Sequence, residues 1–404
     1  MNLENFPSPD RSNEGIAVIG SGIAGSMSAY ELAKEGYQVT VIEERPELFS
    51  GTSLHATQFH LGAEYSGSFQ TALECLGSAV AMKEAMPECL TDQRVQFLVA
   101  EDSQISMDDF VEFFTDLTGH YADLPASDQQ FGPTEKFFRI LEPEEYSFAK
   151  NIAGGIVGQE VMLDMISVRR TLLNGLGRLG VEAMTSASVV GVEVQDNGFE
   201  LSITSGNETE TLVVDQVVNA GGHKARLLDD QLGDRTPYHC VLKTWNMVEN
   251  TGKLLPPFMV VRGPLAVHHP HASARYISTL NSANAGSVID QRTYSAEDPT
   301  LPPEWDKILL SGVVPDASSR QAAITERIGD EFLKDISVFT PLRLIPGVAT
   351  AYSSAEADRT QQKGANVIVP GWQTVVPTKA MHGLVLARQA AANALVHSEA
   401  LAIN

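Results

Sequence analysis

Apolar residues along this chain fall into runs and periods that spell out its elements. Ile16-Ala17-Val18-Ile19 is a short continuous apolar run, the pattern of a buried strand. It leads into Gly20-Ser21-Gly22-Ile23-Ala24-Gly25. Met27, Ala29, Tyr30, Leu32 and Ala33 then recur at near-helical spacing until Gly36 stops the helix. Val39-Thr40-Val41-Ile42 reads as a second strand, ending at Glu43. Strand, glycine turn, helix, strand is a βαβ unit, whose strands should lie parallel through a right-handed crossover.

The rest of the pattern is interrupted. Residues 45–75 are richer in Gly, Ser, Thr and His and read as an extended loop followed by a helix. Residues 97–148 turn acidic and aromatic, with Pro125, Pro133 and Pro143, as a second domain would begin. Helical periodicity returns over 168–179, with Gly180 as its stop. Strands are expected at 187–194, 199–204 and 211–218, separated by Asp196-Asn197-Gly198 and Ser205-Gly206-Asn207, both hairpin signals. Residues 237–345 read as strands and irregular segments, without a helix until about 320–332. The end returns to α/β grammar: a strand at 365–369, a turn at Pro370-Gly371-Trp372-Gln373, and a helix over 378–396. A discontinuous α/β domain follows, built from 1–80, 161–236 and 346–404 and interrupted by a second domain at 81–160 and 237–345.

Charge narrows the partners. With 28 Lys and Arg against 51 Asp and Glu, the net charge is −23, which disfavours nucleic acid and anionic lipid. No apolar run approaches the ~20 residues of a membrane helix. The first fifteen residues lack the basic-then-apolar layout of a signal peptide, so a cytoplasmic location is expected. Cys75, Cys89 and Cys240, sparse and without a CxxC pair, suggest reduced thiols rather than disulfides or zinc. His268-His269-Pro270-His271 invites a metal reading, but adjacent residues of an extended segment point to opposite faces, and no metal is expected.

Gly20-x-Gly22-x-x-Gly25 places glycine at a sharp turn, at a close approach to pyrophosphate, and where helix packs on strand. Glu43, 23 positions after Gly20, can accept the ribose hydroxyls; Glu44 is the alternative. Gly175-x-Gly177-x-x-Gly180 matches the same pattern but follows a helix and precedes a strand, so it is assigned to helix termination. One nucleotide site built from three distant segments suits FAD, whose long body spans one domain and offers its ring to another.

Residues 16–43, 217–222 and the closing strand–helix unit resemble the FAD-dependent oxidoreductases of the D-amino acid oxidase superfamily. That group includes glycine and sarcosine oxidases, glycerol-3-phosphate dehydrogenases and L-2-hydroxyglutarate oxidases. The resemblance implies an α/β fold: a discontinuous Rossmann-like FAD-binding domain with an inserted α+β substrate domain containing an antiparallel sheet. It implies cofactor contacts from Gly20, Gly22, Ile23, Ala24, Gly25, Glu43 and Glu44, and from Ala220 and Gly221 in the Asn219-Ala220-Gly221-Gly222 turn. Val189, within Ser188-Val189-Val190, corresponds to the stretch whose backbone receives adenine.

Residues 51–65 are similar to the family loop that passes the pyrophosphate and the ring. Ser53 and Thr57 are expected to donate to phosphate or ring atoms, or to cap local turns. His55 stands where relatives resembling dimethylglycine dehydrogenase attach flavin covalently, but Leu54 replaces their aromatic neighbour, so ordinary ring contact is expected and covalent attachment is the alternative. His60-x-Gly62-x-x-Tyr65 resembles the H-x-G-x-x-Y element of the hydroxyglutarate and glycerophosphate branch. It makes His60 and Tyr65 candidate catalytic residues, with Gly62 letting backbone approach the ring; a structural histidine is the other reading of His60. Gly371, Thr378 and Lys379 are expected over the flavin pyrimidine. A helix starting near Thr378 would aim its N–H groups at the N1–C2=O edge, and Lys379 would add charge there.

On the substrate side, Arg262, Arg275, Arg292, Arg343 and Arg359 lie in or beside the second domain, where one guanidinium could clamp a carboxylate. Arg275, Arg292 and Tyr276 are the candidates. The expected function moves a hydride from the C–H next to an amine of a small amino acid or amine to flavin N5. A 2-hydroxy acid oxidase or dehydrogenase is the alternative, and a non-catalytic flavin-binding protein is the rival of another class. Electron acceptor and oligomeric state are left open.

Overall fold

The computed structural model describes residues 11–51, 55, 57–261, 266–282, 285–294, 302–351 and 364–403. Ser53, Arg262 and Arg359 lie outside the described residues, as does the side chain of Arg275. Strand β1 (Arg11–Ile19), helix α1 (Ile23–Lys34) and strand β2 (Tyr37–Glu43) form the expected unit, with Ile16 beside Val39 and Val18 beside Val41 in parallel register. They sit in a six-stranded sheet ordered Asn366–Val369, Trp372–Thr374, Gln216–Asn219, β1, β2, Glu182–Thr185. All of its pairings are parallel except the hairpin of its first two strands.

Alternation along β1 explains the layers. Ile16 and Val18 face α1, the helix Met165–Arg178 and the C-terminal helix His382–Ile403, packing with Ala29, Leu32, Leu176 and Leu386. Ala17 and Ile19 face the other way, onto a three-stranded antiparallel sheet that supplies Phe199, Leu201 and Ile203. The run 211–218, read as one strand, is two. Glu208–Val214 belongs to the small antiparallel sheet and Gln216–Asn219 to the parallel one. Asp215 is the pivot: its N–H donates to Gly15 O, and its carboxylate accepts from Gly15 N at 2.7 Å. A hydrophobic run shows burial but not a change of sheet.

The helix Met165–Arg178 ends as the second glycine motif suggests. Gly180 adopts φ +71° and Val181 N donates back to Leu176 O at 3.0 Å.

The second layer system is a ten-stranded sheet, antiparallel except for Leu90–Ala100 against Phe258–Val261. Its long strand Tyr238–Asn250 pairs with Ala274–Ser282, Val288–Tyr294 and the equally long Phe339–Ala351. Gln58–Phe59, from the expected first segment, joins this sheet beside Ile152–Leu163. Ile152–Leu163 runs across residue 160 and Phe339–Ala351 across residue 345, so the segments meet inside strands rather than in linkers. Two helices escape the sequence pattern. Met107–Ala122 buries Phe110, Phe113, Phe114 and Leu117, and Pro303–Ser311 buries Trp305, Ile308 and Leu309. The latter is short, and its apolar spacing is also compatible with irregular chain.

Candidate active site

At the carboxyl ends of the parallel strands a cavity of about 1370 Å³ opens between the two sheets. This exceeds the ~300–1,000 Å³ of ordinary small-molecule pockets. Gly20 and Gly22 line it. Gly20 has φ +87°, and a Cβ there would stand 2.6 Å from Ala220 O. Gly25 does not face the cavity; a Cβ on it would stand 1.9 Å from Gly20 O, so it seats α1 against the turn. Helix α1 begins after Gly22 without a side-chain cap, and Ile23 and Ala24 line the cavity, so its positive end meets whatever anion lies there.

Further along, Glu43 and Glu44 line the wall together with Ser188, Val189 and Val190. Glu43 is buried and held rigidly. Its Oε2 accepts from Ser21 N at 2.7 Å and Ser21 Oγ at 2.6 Å, and its Oε1 accepts from Arg45 N at 2.9 Å. A carboxylate accepts about four hydrogen bonds, so capacity for roughly one more remains. Lys224 spans from Glu44 Oε2 at 2.7 Å to Asp306 Oδ1 at 3.0 Å. All three residues line the cavity, and through Asp306 they tie the helix Pro303–Ser311 to the end of β2.

Ala220 and Gly221 line the cavity midway, carried by Asn219. Asn219 Oδ1 accepts from Gly221 N at 3.2 Å, and its amide donates to Ala225 O at 2.8 Å and Asp229 Oδ1 at 2.9 Å. Asp229 is fully buried. It also accepts from Trp372 Nε1 at 2.9 Å, Thr374 Oγ1 at 2.7 Å and Tyr238 OH at 2.9 Å.

The opposite end is built on the segment from Thr57 to Tyr65. His55, Thr57, Gln58, His60, Glu64 and Tyr65 all line the cavity. Glu160, buried on the neighbouring strand, organises them: its carboxylate accepts from Leu61 N at 2.6 Å, Ala63 N at 2.9 Å and Gln58 Nε2 at 3.2 Å. Burial pushes that carboxyl up to about 7. His60 Nδ1 lies 3.4 Å from Glu64 Oε1, and its ring is 5.9 Å from that of Tyr65. Lys379 Nζ sits 4.2 Å above the Tyr65 ring. Burial holds His60 below its ordinary range; Glu64 opposes that, and the charges of Lys379 and Lys243 add to it. His60 is therefore an uncharged base at neutral pH. His60, Tyr65 and Lys379 thus converge, and Thr378 lines the cavity beside them. His55 is likewise held down, to about 4, by burial and then by His271 and Arg343.

Other expected residues stand elsewhere. Gly371 forms the turn between Asn366–Val369 and Trp372–Thr374, where its O accepts from Val217 N at 2.8 Å. It marks the amino end of the parallel strands, and the cavity lies at their carboxyl ends. Gly62 does not line the cavity. It adopts φ +114°, and a Cβ on it would stand 2.7 Å from the Ala72 α-carbon, so it packs the loop on the helix Phe69–Ala85. Tyr276 is exposed and has the strand parity of Ser278 and Leu280, opposite to cavity-lining Thr279 and Asn281. Arg292 is more than half exposed and pairs with Asp290 at 3.2 Å, away from the cavity. The last helix begins at His382, not near Thr378. Residues 378–381 form a turn instead, with His382 N donating to Lys379 O.

The sequence reading did not single out Lys243, Trp245, Glu160, Lys224 or Asp229. For Lys243 and Trp245 the signal was present, because with Val241 they share one face of the strand Tyr238–Asn250 and all three line the cavity. Among the described residues no helix is long and apolar enough to cross a membrane.

Residues 15–277 match the family model described as FAD dependent oxidoreductase. The chain belongs to that family, the D-amino acid oxidase group. The FAD-dependent monooxygenase kojA of Aspergillus flavus is 24% identical over 230 residues, covering 55% of this chain and 48% of that protein. The chain thus spans about half the length of the curated relatives it matches. Among solved structures, glycine oxidase from Geobacillus kaustophilus superposes with a TM-score of 0.65 at 16% identity, covering 95% of this chain and 94% of that one. L-amino acid deaminase from Proteus vulgaris gives 0.68 at 14% identity, covering 97% and 95%. These structures share the fold.

The cavity fits the family's cofactor. Gly20 admits no Cβ, the Glu43 carboxylate retains acceptor capacity, and the lining residues Thr57 and His55 carry a buried Oγ1 and a buried Nδ1 without a hydrogen-bond partner among the described residues.

Proposed function

We propose that this protein is an FAD-dependent oxidoreductase that oxidises the C–H next to the amine of a small amino acid or amine. The observation that carries the reading is one continuous cavity, running from the glycine turn past Glu43 and Ala220 to the cluster of His60, Tyr65 and Lys379. Bound FAD supplies the hydride acceptor. Gly20, Gly22, Ile23 and Ala24 would hold its diphosphate, Glu43 its ribose, Val189 its adenine, and Ala220 and Gly221 its middle. Lys379 would place positive charge, and Thr378 a hydroxyl, where reduction adds electrons. His60 and Tyr65 stand on the substrate side, with His60 uncharged and able to take a proton. The solved proteins sharing the fold, glycine oxidase and L-amino acid deaminase, are named for amino acids, which supports an amine over an alcohol.

The test is an anaerobic screen of the FAD-loaded protein with amino acids, N-methyl amino acids and 2-hydroxy acids. Bleaching of the flavin by an amine is expected. Bleaching by hydroxy acids alone would move the reading to the alcohol branch. No bleaching by any of them would leave a non-catalytic flavin protein.

A further inference from the structure

The strand Ala266–His271 carries three histidines, and the structure gives the first two different jobs. Both ring nitrogens of His268 are engaged: Nδ1 lies 2.9 Å from Pro256 O and Nε2 lies 3.0 Å from Ser278 Oγ. Its ring packs against Phe258 and Phe339, with centroids 5.5 and 5.1 Å away. His268 is therefore part of the core. His269, one residue on, faces the opposite side of the sheet and lines the cavity, as does its cross-strand neighbour Thr279.

His269 is 8% exposed, and its buried Nε2 has no hydrogen-bond partner among the described residues. Burial holds the ring down to about 3, with further lowering from His268, His60 and His271, so it is uncharged at neutral pH. On the adjacent strand Asn281 also lines the cavity, with a buried, unpartnered Oδ1. Buried polar atoms are satisfied in the great majority of folded proteins, so an unpartnered pair on two residues that line a cavity points to a ligand that completes them. The other groups divide by chemistry. Lys243, Lys379 and the Trp245 indole can only donate; His60, its Nδ1 turned toward Glu64, keeps Nε2 for the proton assigned to it above, and His55 and Thr57 are assigned above to the cofactor.

We propose that His269 Nε2 is the substrate-binding acceptor of this cavity, taking a hydrogen bond from an N–H of the amine on the carbon that is oxidised. The inference rests on the amine reading above and assigns the nitrogen's partner within it. It makes His269 a selector for substrates that present a donor at that position.

The test uses ligands that cannot be oxidised, so binding is read apart from turnover. 2-Hydroxyisobutyrate, 2-aminoisobutyrate and pivalate have nearly the same shape and no C–H at the reacting carbon; pivalate replaces the donor by methyl. Each is titrated into the FAD-loaded full chain, and the perturbed flavin spectrum gives its Kd. The wild type should prefer the hydroxy or the amino acid to pivalate by about ten-fold or more. His269→Leu should bring that ratio near one with flavin content unchanged, whereas His269→Gln, which retains an acceptor, should keep part of it. General loosening of the cavity would weaken all three ligands and leave the ratio standing. An unchanged ratio in His269→Leu, or no preference in the wild type, overturns the proposal. Should the leucine variant fail to retain flavin, His269→Phe, nearer the ring in volume and without an acceptor, decides: a wild-type ratio in it overturns the proposal. Absence of bleaching in the substrate screen alongside a His269-dependent ratio would instead defeat the oxidoreductase reading and leave this site intact.

Discussion

Asp229 and Trp372 stand 143 positions apart in the chain, yet the Trp372 indole N–H donates to Asp229 Oδ1 at 2.9 Å in the buried interior. The same carboxylate holds Asn219, whose side chain fixes the Ala220-Gly221 turn, and Thr374, which leads toward Thr378 and Lys379. One acid thus ties two distant walls of the cavity together. Asp229→Ala would strand four buried donors. Loss of roughly 3 kcal/mol or more is expected, since each unsatisfied group costs about 1–3 kcal/mol. Asp229→Asn keeps one oxygen and should lose less. Urea denaturation and the flavin-to-protein ratio after gel filtration measure both; an alanine variant as stable as the wild type would show that the knot carries no weight.

Glu160 should make stability depend on pH in an unusual direction. Its carboxyl is raised from 4.5 to about 7, chiefly by burial, so the folded chain binds this proton more readily than the unfolded chain does. Its contribution is therefore most favourable below about 4.5 and declines as pH rises toward 7, by on the order of 3 kcal/mol for a shift of that size. Glu160→Gln removes the titration while an amide oxygen can still accept from Leu61 N and Ala63 N. The variant should gain on the wild type between about pH 5 and pH 8 in paired denaturation curves. Parallel curves would mean that Glu160 ionises in the fold at no cost.

Lys224 bridges Glu44 and Asp306 on the cavity wall. Replacing it by alanine leaves Glu44 and Asp306 without their shared cation and loosens the helix Pro303–Ser311, which Arg45 Nη2 still holds through Leu309 O. Partly exposed ion pairs contribute about 0.2–1 kcal/mol each, so the FAD dissociation constant should rise about 3- to 20-fold with a small change in stability. Fluorescence titration of the apoprotein with FAD reads this directly. An unchanged constant would place Lys224 away from the cofactor's path.

The glycine cradle, β1, α1 and β2 were legible because their signals are local. A positive φ at Gly20, the close approach at Gly25 and an acid at the strand end all fall within 28 residues. The convergence of His60, Tyr65 and Lys379 followed from the resemblance, since nothing in their spacing joins residues more than 300 positions apart. The ten-stranded sheet was hidden for the same reason: Tyr238–Asn250 finds partners up to residue 351, and a periodic pattern reports a strand without its neighbour. Tyr276 and Arg292 were chosen by residue type, but strand parity and exposure decide which side chains reach a cavity. Asp229 and Glu160 had no signal, because a buried acid in a sequence with 51 acids looks like any other.

His60 offers the sharpest division between the two substrate classes. An alcohol must give up its hydroxyl proton as hydride leaves the same carbon, whereas an unprotonated amine has a lone pair ready. His60 is held uncharged, mainly by burial, and lies beside Tyr65 on the cavity wall. If it serves as base, His60→Ala should slow anaerobic bleaching by a 2-hydroxy acid by ~10²–10⁴, the usual range for a positioned base. Bleaching by an amine should slow by no more than about ten-fold, through lost packing. Adding imidazole should restore part of the hydroxy acid rate and leave the amine rate unmoved. Stopped-flow traces with both substrate types give the comparison, and equal slowing of the two would reduce His60 to a structural role beside Glu64.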